Sequence, residues 1–403
     1  MKQHDFLIIG AGIVGITIAR ELKIRYPESQ VTILEKEGSP GKHSSGRNSG
    51  VLHSGIFYPE DSLKAHVSVQ GAREMAEYCL SRGLPLDRRG KILLPTRLED
   101  SSQLDVLEER ARANNVYVER IDEKTLKEME PETRSATGEA LWVPSTAVGN
   151  PHRVMSSLVN EITVMKIELH CGVEIAEVDY NDRLVRLADG EKISYGHVIN
   201  SAGLHADTIA HRFDVGHRYT LLPFKGLYWK LDPNAGYDIR HLIYPVPDLR
   251  VPFLGVHTTT TTDGLIYLGP TAVPAFGREN YRGLDNVTIK EFARISSLLI
   301  RQTIADRDGF RRLAWQEGRR YFKPWFTEAA KAILPRLRSE HLLPCDKVGI
   351  RAQMFDRTEG KLVTDFLVEK GSSSTHILNA ISPAWTSAFP FARYVIDNYI
   401  IER

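Results

Sequence analysis

Three glycines and one carboxylate near the start of the chain carry the first chemical signal. The sequence reads Asp5-Phe-Leu-Ile-Ile-Gly10-Ala-Gly12-Ile-Val-Gly15, and the run Val31-Thr-Ile-Leu-Glu35-Lys36 places an acid 20 residues after the third glycine. The first glycine permits a tight turn, the second lets the backbone approach a pyrophosphate, and the third lets a helix pack on the strand. The helix N-terminus then faces the phosphates, and Glu35 accepts hydrogen bonds from a ribose diol. Gly10, Gly12, Ile13, Val14, Gly15, Glu35 and Lys36 are therefore candidate dinucleotide-binding residues. Glycines alone would equally make a turn in an ordinary α/β domain. The complete strand–turn–helix–strand context favours the dinucleotide, and Glu35 suits NAD and FAD alike.

The elements around this turn are readable. The pattern predicts a crossover helix over 13–25 and an amphipathic helix over 62–82, with Leu63, Val67, Met75 and Leu80 on its apolar side. Between them lies the loop Gly41-Lys-His-Ser-Ser-Gly-Arg-Asn-Ser-Gly50, too polar for core and too long for a simple turn, hence a candidate functional loop. Further helices are predicted over 98–114 and over 151–165, where Pro151 suits a helix start. Short strands are predicted at 91–95, 174–178, 184–187 and 192–200, the last leading into Ser201-Ala202-Gly203. Residues 216–285 read as mixed β-sheet, 288–340 as helical, and 347–403 as strands followed by a helix through Tyr399.

Bulk properties set limits. A chain of 403 residues should hold about two domains. Its formal net charge of +1 argues against a nucleic-acid binder. Cys79, Cys171 and Cys345 are scattered, without metal spacing, and fit a reduced compartment. The apolar run Phe6–Ala19 is too short to span a bilayer, so a cytoplasmic protein is expected. No histidine–cysteine–acid spacing suggests a metal site, and no Ser-His-Asp case can be made. Cofactor-like segments at the start, middle and end alternate with two others. The expected fold is α/β, with a split Rossmann-like FAD-binding domain (1–82, 150–215 and 345–403) and a mixed α/β substrate domain (83–149 and 216–344). A nicotinamide dehydrogenase would usually keep its nucleotide domain in one piece.

Several blocks then carry a family resemblance. They are Ser45-Gly-Arg-Asn-Ser-Gly-Val-Leu-His53-Ser-Gly-Ile-Phe-Tyr58-Pro59, Ser62-Leu-Lys64-Ala65, Leu222-Pro-Phe-Lys-Gly226, Gly255-Val-His257, Leu268-Gly-Pro270, Ala275-Phe-Gly-Arg278-Glu279, Gly349-Ile-Arg-Ala-Gln353 and Asn379-Ala-Ile-Ser-Pro-Ala384. Over nearly its whole length the chain resembles the D-amino-acid-oxidase-type FAD oxidoreductases, and within them the branch that oxidises L-2-hydroxyglutarate. The resemblance implies non-covalent FAD. It implies a pyrophosphate and ring lying along the 41–53 loop, with Ser44, Ser45, Gly46, Arg47, Asn48, Ser49 and Gly50 in contact and His53 delivered beside the isoalloxazine. It adds Val173 at the adenine, Ala202 and Gly203 after their strand, Arg351 near the flavin, and Ser382, Pro383, Ala384, Trp385 and Thr386 at its far end. One departure stands out: Trp385 intrudes between Ser-Pro-Ala and Thr386-Ser387, where the family usually reads Ala-Thr-Ser.

The implied reaction is hydride transfer from the substrate α-carbon to flavin N5, giving 2-oxoglutarate, with electrons passing to a quinone-type acceptor or oxygen. Its alternatives are amino-acid or glycerol-3-phosphate oxidation, a flavin-binding module without catalysis, and a nicotinamide-only enzyme. Such oxidation needs a base for the hydroxyl proton, and His53 or His257 suits that role. A 2-hydroxy dicarboxylate also needs cations and hydroxyl donors, for which Arg278, Lys64 and Lys225 are candidates with Tyr58, Tyr228 and Tyr244. Each also has a bland reading, as a packed histidine or a solvated surface charge. The basic and aromatic stretch 310–326 reads either as a helix pair with a basic outer face or as a peripheral contact with an anionic membrane.

Overall fold

The computed structural model describes residues 3–249 and 253–400, which group into two compact units. The first comprises 1–48, 151–223 and 351–403, and the second comprises 49–150 and 224–350.

The first unit is built on a parallel sheet. Its strands run in the order Ser374–Asn379, Lys192–Asn200, Gln3–Ile9, Val31–Glu35 and Glu168–Cys171, all parallel. Leu7, Ile8, Ile33, Leu34, Val198 and Ile199 are buried, as expected for parallel strands covered on both faces. The meander Ile175–Asp179 and Leu184–Leu187 adds antiparallel to the first part of Lys192–Asn200. The helix Ile13–Arg25 buries Ile13, Ile16, Ile18, Ala19 and Leu22, because it packs on Pro151–Val164, on Ala388–Tyr399 and on the sheet. The last helix starts at Ala388. Residues 382–387 form a separate turn before it, so Ser382-Pro383-Ala384 does not itself open the helix.

The second unit carries several smaller sheets. One runs Leu242–Pro245, Lys91–Leu94, Glu139–Val143 and Glu119–Asp122, with the first pair parallel and the rest antiparallel. Another runs His257–Thr260, Ile266–Gly269, Trp229–Leu231 and Leu342–Leu343. The two are tied where the Ile243 amide donates to Thr258 Oγ1 at 2.8 Å. The predicted helix over 62–82 is Leu63–Ser81, capped by Ser62, whose hydroxyl accepts from the Ala65 amide. The predicted helix over 98–114 begins with a 3₁₀ turn, Leu98–Asp100, before Ser101–Ala113. The 288–340 stretch forms Ile289–Ala305, Phe310–Arg319 and Lys323–Lys331, and Pro324 lies in the first turn of the third, where its missing N–H costs nothing.

The unit boundaries differ from those expected. Residues 49–82 group with the second unit because Val51–Leu52 pairs with Ala147–Gly149, which pairs with Leu86–Asp87, and the helix Leu63–Ser81 packs on these strands. Residues 216–223 group with the first, because Tyr219–Leu221 pairs with Met354–Asp356. Residues 345–350 group with the second.

Candidate active site

In the first unit the glycine turn is closed from behind by backbone. Gly10 has φ +103°, and a Cβ there would lie 2.7 Å from the Ser201 carbonyl oxygen. A Cβ on Gly15 would overlap the Gly10 carbonyl, so the third glycine is a packing requirement. Gly12 is the helix N-cap and has no side chain to offer. Ser45 of the 41–50 loop accepts from the Ile13 amide instead, at 2.9 Å. The first turn of the helix carries no acid, so no residue of its own opposes an anion at its positive end.

Glu35 ends its strand nearly buried. Oε2 accepts from the Ala11 amide at 2.8 Å and Oε1 from the Glu37 amide at 2.9 Å. A carboxylate has about four acceptor positions, so two remain for a diol while the other two fix its direction. Lys36 pairs with Glu37, and Val173 uses its amide on the Glu35 carbonyl at 2.9 Å. Val14 is half-buried. Asn48 stabilises the loop through the carbonyls of Ser44 and Ser45, and Arg47 holds that of Lys42. A Cβ on Gly46 would press on the Gly41 carbonyl at 2.5 Å. Ser49 and Gly50 belong to the second unit, where Gly50 accepts from the Gly149 amide. The Ala202 amide donates to Asn200 Oδ1, and Gly203 follows with φ +53°. In the 382–387 turn, Ala384, Trp385 and Thr386 are buried. Trp385 Nε1 and Ser387 Oγ have no hydrogen-bond partner among the described residues. Arg351 groups with this unit, at the end of the strand Val348–Arg351, with its Nε buried.

These residues fit an FAD. A glycine turn with no room for side chains, a helix whose first turn carries no acid, an oriented carboxylate and two orphaned buried donors are what its phosphates, ribose and ring system require.

The second unit assembles a different kind of site, from side chains. His257 opens the strand His257–Thr260 and stacks on the Tyr244 ring, with centroids 3.8 Å apart at 18°. Its Nδ1 lies 2.9 Å from the Gly255 carbonyl, which can only accept. Nδ1 therefore carries the proton, and in the neutral ring Nε2 is the basic atom. His53 is half-buried, directly after Val51–Leu52. The segment carrying it is fixed by Asn114 Nδ2, which donates to the carbonyls of Gly55 (3.1 Å) and Tyr58 (2.9 Å).

Both imidazoles are held neutral. Burial, with repulsion from Lys91 and His257, pushes His53 down to about 3. Burial also takes His257 to about 3, Lys91 adding to the effect and the Gly255 carbonyl opposing it. Tyr244 is fully buried, and its phenol is raised by burial and by the nearby Tyr228 and Tyr58.

Lys91 is the residue that sequence reasoning missed. It reads as the first position of a strand, Lys91-Ile-Leu-Leu, yet it is 0% exposed and sits over the rings of Phe57 (4.5 Å) and Tyr244 (5.4 Å). The available signal was a lysine heading an otherwise unbroken apolar strand. Asn114, just past its helix, gave no signal.

The predicted substrate residues divide. Tyr58, Tyr228 and Tyr244 come together near the histidines, with Lys64 over the Tyr58 ring at 5.5 Å. Arg278 instead faces Glu291 at 3.6 Å, and Lys225 donates to Asn280 Oδ1 at 3.2 Å.

The chain belongs to the FAD dependent oxidoreductase family, whose model matches residues 5–398. Among named relatives it is similar to the L-2-hydroxyglutarate dehydrogenase of Escherichia coli strain K12, 32% identical over 98% of this chain and 93% of that one. It is 34% identical to the L-2-hydroxyglutarate dehydrogenase of Indibacter alkaliphilus, covering 98% of each. It is 33% identical to the mitochondrial L-2-hydroxyglutarate dehydrogenase of Homo sapiens, covering 98% and 88%. Among solved structures, the fold is similar to an L-alpha-glycerophosphate oxidase from Mycoplasma pneumoniae with FAD bound (TM-score 0.78, 20% identity, 98% and 94% covered) and a glycine oxidase from Geobacillus kaustophilus (TM-score 0.70, 16% identity, 98% and 94% covered).

Proposed function

We propose that the protein oxidises L-2-hydroxyglutarate to 2-oxoglutarate with FAD as its cofactor. The full-length similarity to proteins named L-2-hydroxyglutarate dehydrogenase carries the choice of substrate. The neutral His257, with its tautomer set by Gly255, carries the chemistry. Bound FAD supplies the hydride acceptor. The chain's own contribution is to take the hydroxyl proton as the α-hydrogen leaves, and Nε2 of His257 or the imidazole of His53 is the group for it. The tyrosine group Tyr58, Tyr228 and Tyr244 supplies hydroxyls to orient an anionic substrate. The test is anaerobic addition of L- and D-2-hydroxyglutarate, separately, to the FAD-loaded protein. Bleaching of the flavin band by the L form alone is expected. Bleaching by glycerol phosphate or an amino acid instead would overturn the substrate.

The acceptor side is read from the helices Ile289–Ala305, Phe310–Arg319 and Lys323–Lys331. No described helix is long and apolar enough to cross a membrane. These helices and the turn before the third nonetheless leave Ile300, Ile304, Trp315, Tyr321, Phe322 and Trp325 exposed, while Ile295, Leu298, Phe310 and Phe326 are buried. Arg319 lies 3.2 Å over the Trp325 ring and 5.6 Å from that of Trp315. Basic groups beside exposed aromatics suit an anionic lipid surface, where a quinone acceptor is reached. Co-sedimentation with anionic but not neutral vesicles is expected, and its absence would leave a soluble acceptor or oxygen.

A further inference from the structure

Lys91 presents an energetic problem. Burying an unpaired ammonium costs several kcal/mol, and such groups normally find a carboxylate. Here Nζ has no hydrogen-bond partner among the described residues, and its side chain is fully buried. Its neighbours across the sheet are Leu242 and Val143, which are apolar. The titratable groups facing it are Tyr244 from the strand Leu242–Pro245, His257 from the strand His257–Thr260, and His53 from the segment after Val51–Leu52. Phe57 supplies a ring face. None of these is an anion at neutral pH, and burial alone lowers the basicity of Lys91, to about 7. The cluster therefore holds one buried amine, three neutral polar rings and no counter-ion of its own.

We propose that Lys91 is the counter-charge for the anionic substrate, and that its amine takes up a proton as a carboxylate arrives at the His53–His257 cluster. The ammonium acts through the ring layer of Tyr244, His257 and Phe57, because it is itself sealed from solvent. A low dielectric screens its field less than water would. Lys91 is thus a positioning residue, setting anion affinity. This rests on the reading of the chain as a hydroxy-acid oxidoreductase, but its test uses no turnover.

The probe is 2-oxoglutarate, titrated into the FAD-loaded, oxidised protein between pH 6 and 9. Affinity should fall as pH rises, by up to roughly ten-fold per unit at the steepest. Calorimetry in buffers of different ionisation heat should show proton uptake near pH 7.5. Lys91→Met should bind roughly ten-fold more weakly at pH 6.5, with flat pH dependence and no uptake. Lys91→Arg should keep the affinity and lose the pH dependence, because a guanidinium stays charged throughout. Binding by the unaltered protein without uptake, or a Lys91→Met variant with unchanged affinity and slope, would overturn the inference. If Lys91→Met fails to fold, the uptake measurement on the unaltered protein decides. Uptake without bleaching by L-2-hydroxyglutarate would sink the substrate reading and leave this one standing. Bleaching with no uptake would do the reverse.

Discussion

The glycine turn of the first unit and the Lys91 cluster of the second are the two regions proposed to meet a ligand, and they are made of opposite materials. The turn works through what is absent: no Cβ at Gly10, Gly12 or Gly15, no acid in the first helical turn, no side chain at the N-cap. Its recognition groups are backbone amides within a few residues of one another, and Glu35 is oriented by two more amides. The cluster works through side chains from four separated segments, at residues 53–57, 91, 244 and 257. A backbone site is inherited from local geometry and tolerates no added atom. A side-chain site is set by tertiary packing and can be retuned atom by atom. The two should therefore fail differently when altered.

The largest effect is expected at the turn. Gly15→Val puts a side chain where even a Cβ overlaps the Gly10 carbonyl, and it should cost several kcal/mol because that nearest neighbour is backbone and cannot swing aside. The expected outcome is a colourless and largely insoluble protein, seen as lost absorbance near the flavin band and a lowered melting temperature. A yellow, stable Gly15→Val protein would show that the turn can open, which would break the contrast.

At the cluster the fold should survive. His53→Ala and His257→Asn should each keep the yellow colour, since both leave the glycine turn and the Glu35 carboxylate untouched. Flavin reduction in stopped flow should slow by roughly 10²–10⁴-fold for the residue that takes the proton, and far less for the other. Equal and small effects from both would remove general base catalysis by these imidazoles.

How much of this was readable follows the same division. The strand, turn and helix from Gln3 to Arg25 were legible because their signals are local: apolar runs, glycine spacing and a 3.6-residue period. The helix Leu63–Ser81 was legible too, but its unit was not. Its membership depends on the two-residue strand Val51–Leu52 finding Ala147–Gly149, about a hundred residues on. His53 and His257 were named from the resemblance and from their chemistry, and their depressed basicity was invisible, because burial is a tertiary property. Lys91 was passed over for the same reason. Arg278 was named for its charge, and only the fold shows Glu291 beside it.

Acid stability gives a mid-sized test of the buried histidines. His257 and His376 are buried, and both are taken from 6.5 to about 3, chiefly by burial. The unfolded chain binds protons on them between about 6.5 and 3 while the folded chain does not. Their contribution is therefore intact above pH 6.5 and is lost as pH falls toward 3, at ~1.4 kcal/mol per pH unit for each group. His53 is partly exposed and should add less. Urea midpoints should drop steeply between pH 6 and 4.5, and His257→Asn should flatten the slope. An unchanged slope in that variant would mean that His257 is already solvated in the native ensemble.

The smallest effect is expected where the first unit departs from its own rule and offers a side chain. Trp385 is nearly buried, with an Nε1–H that has no partner among the described residues. An orphaned buried donor costs ~1–3 kcal/mol, and Trp385→Phe removes that cost while also removing packing volume. The two changes oppose each other, so cofactor-free stability should move by about 1 kcal/mol or less. Affinity for FAD should respond differently. If the ring system of the cofactor accepts this hydrogen, Trp385→Phe should weaken FAD binding by about ten-fold, in line with one hydrogen bond to a partner otherwise left unmet. Fluorescence titration of the stripped protein would read it directly. Unchanged affinity would mean that the first unit recognises its cofactor through backbone and Glu35 alone, and the contrast between the two regions would be complete.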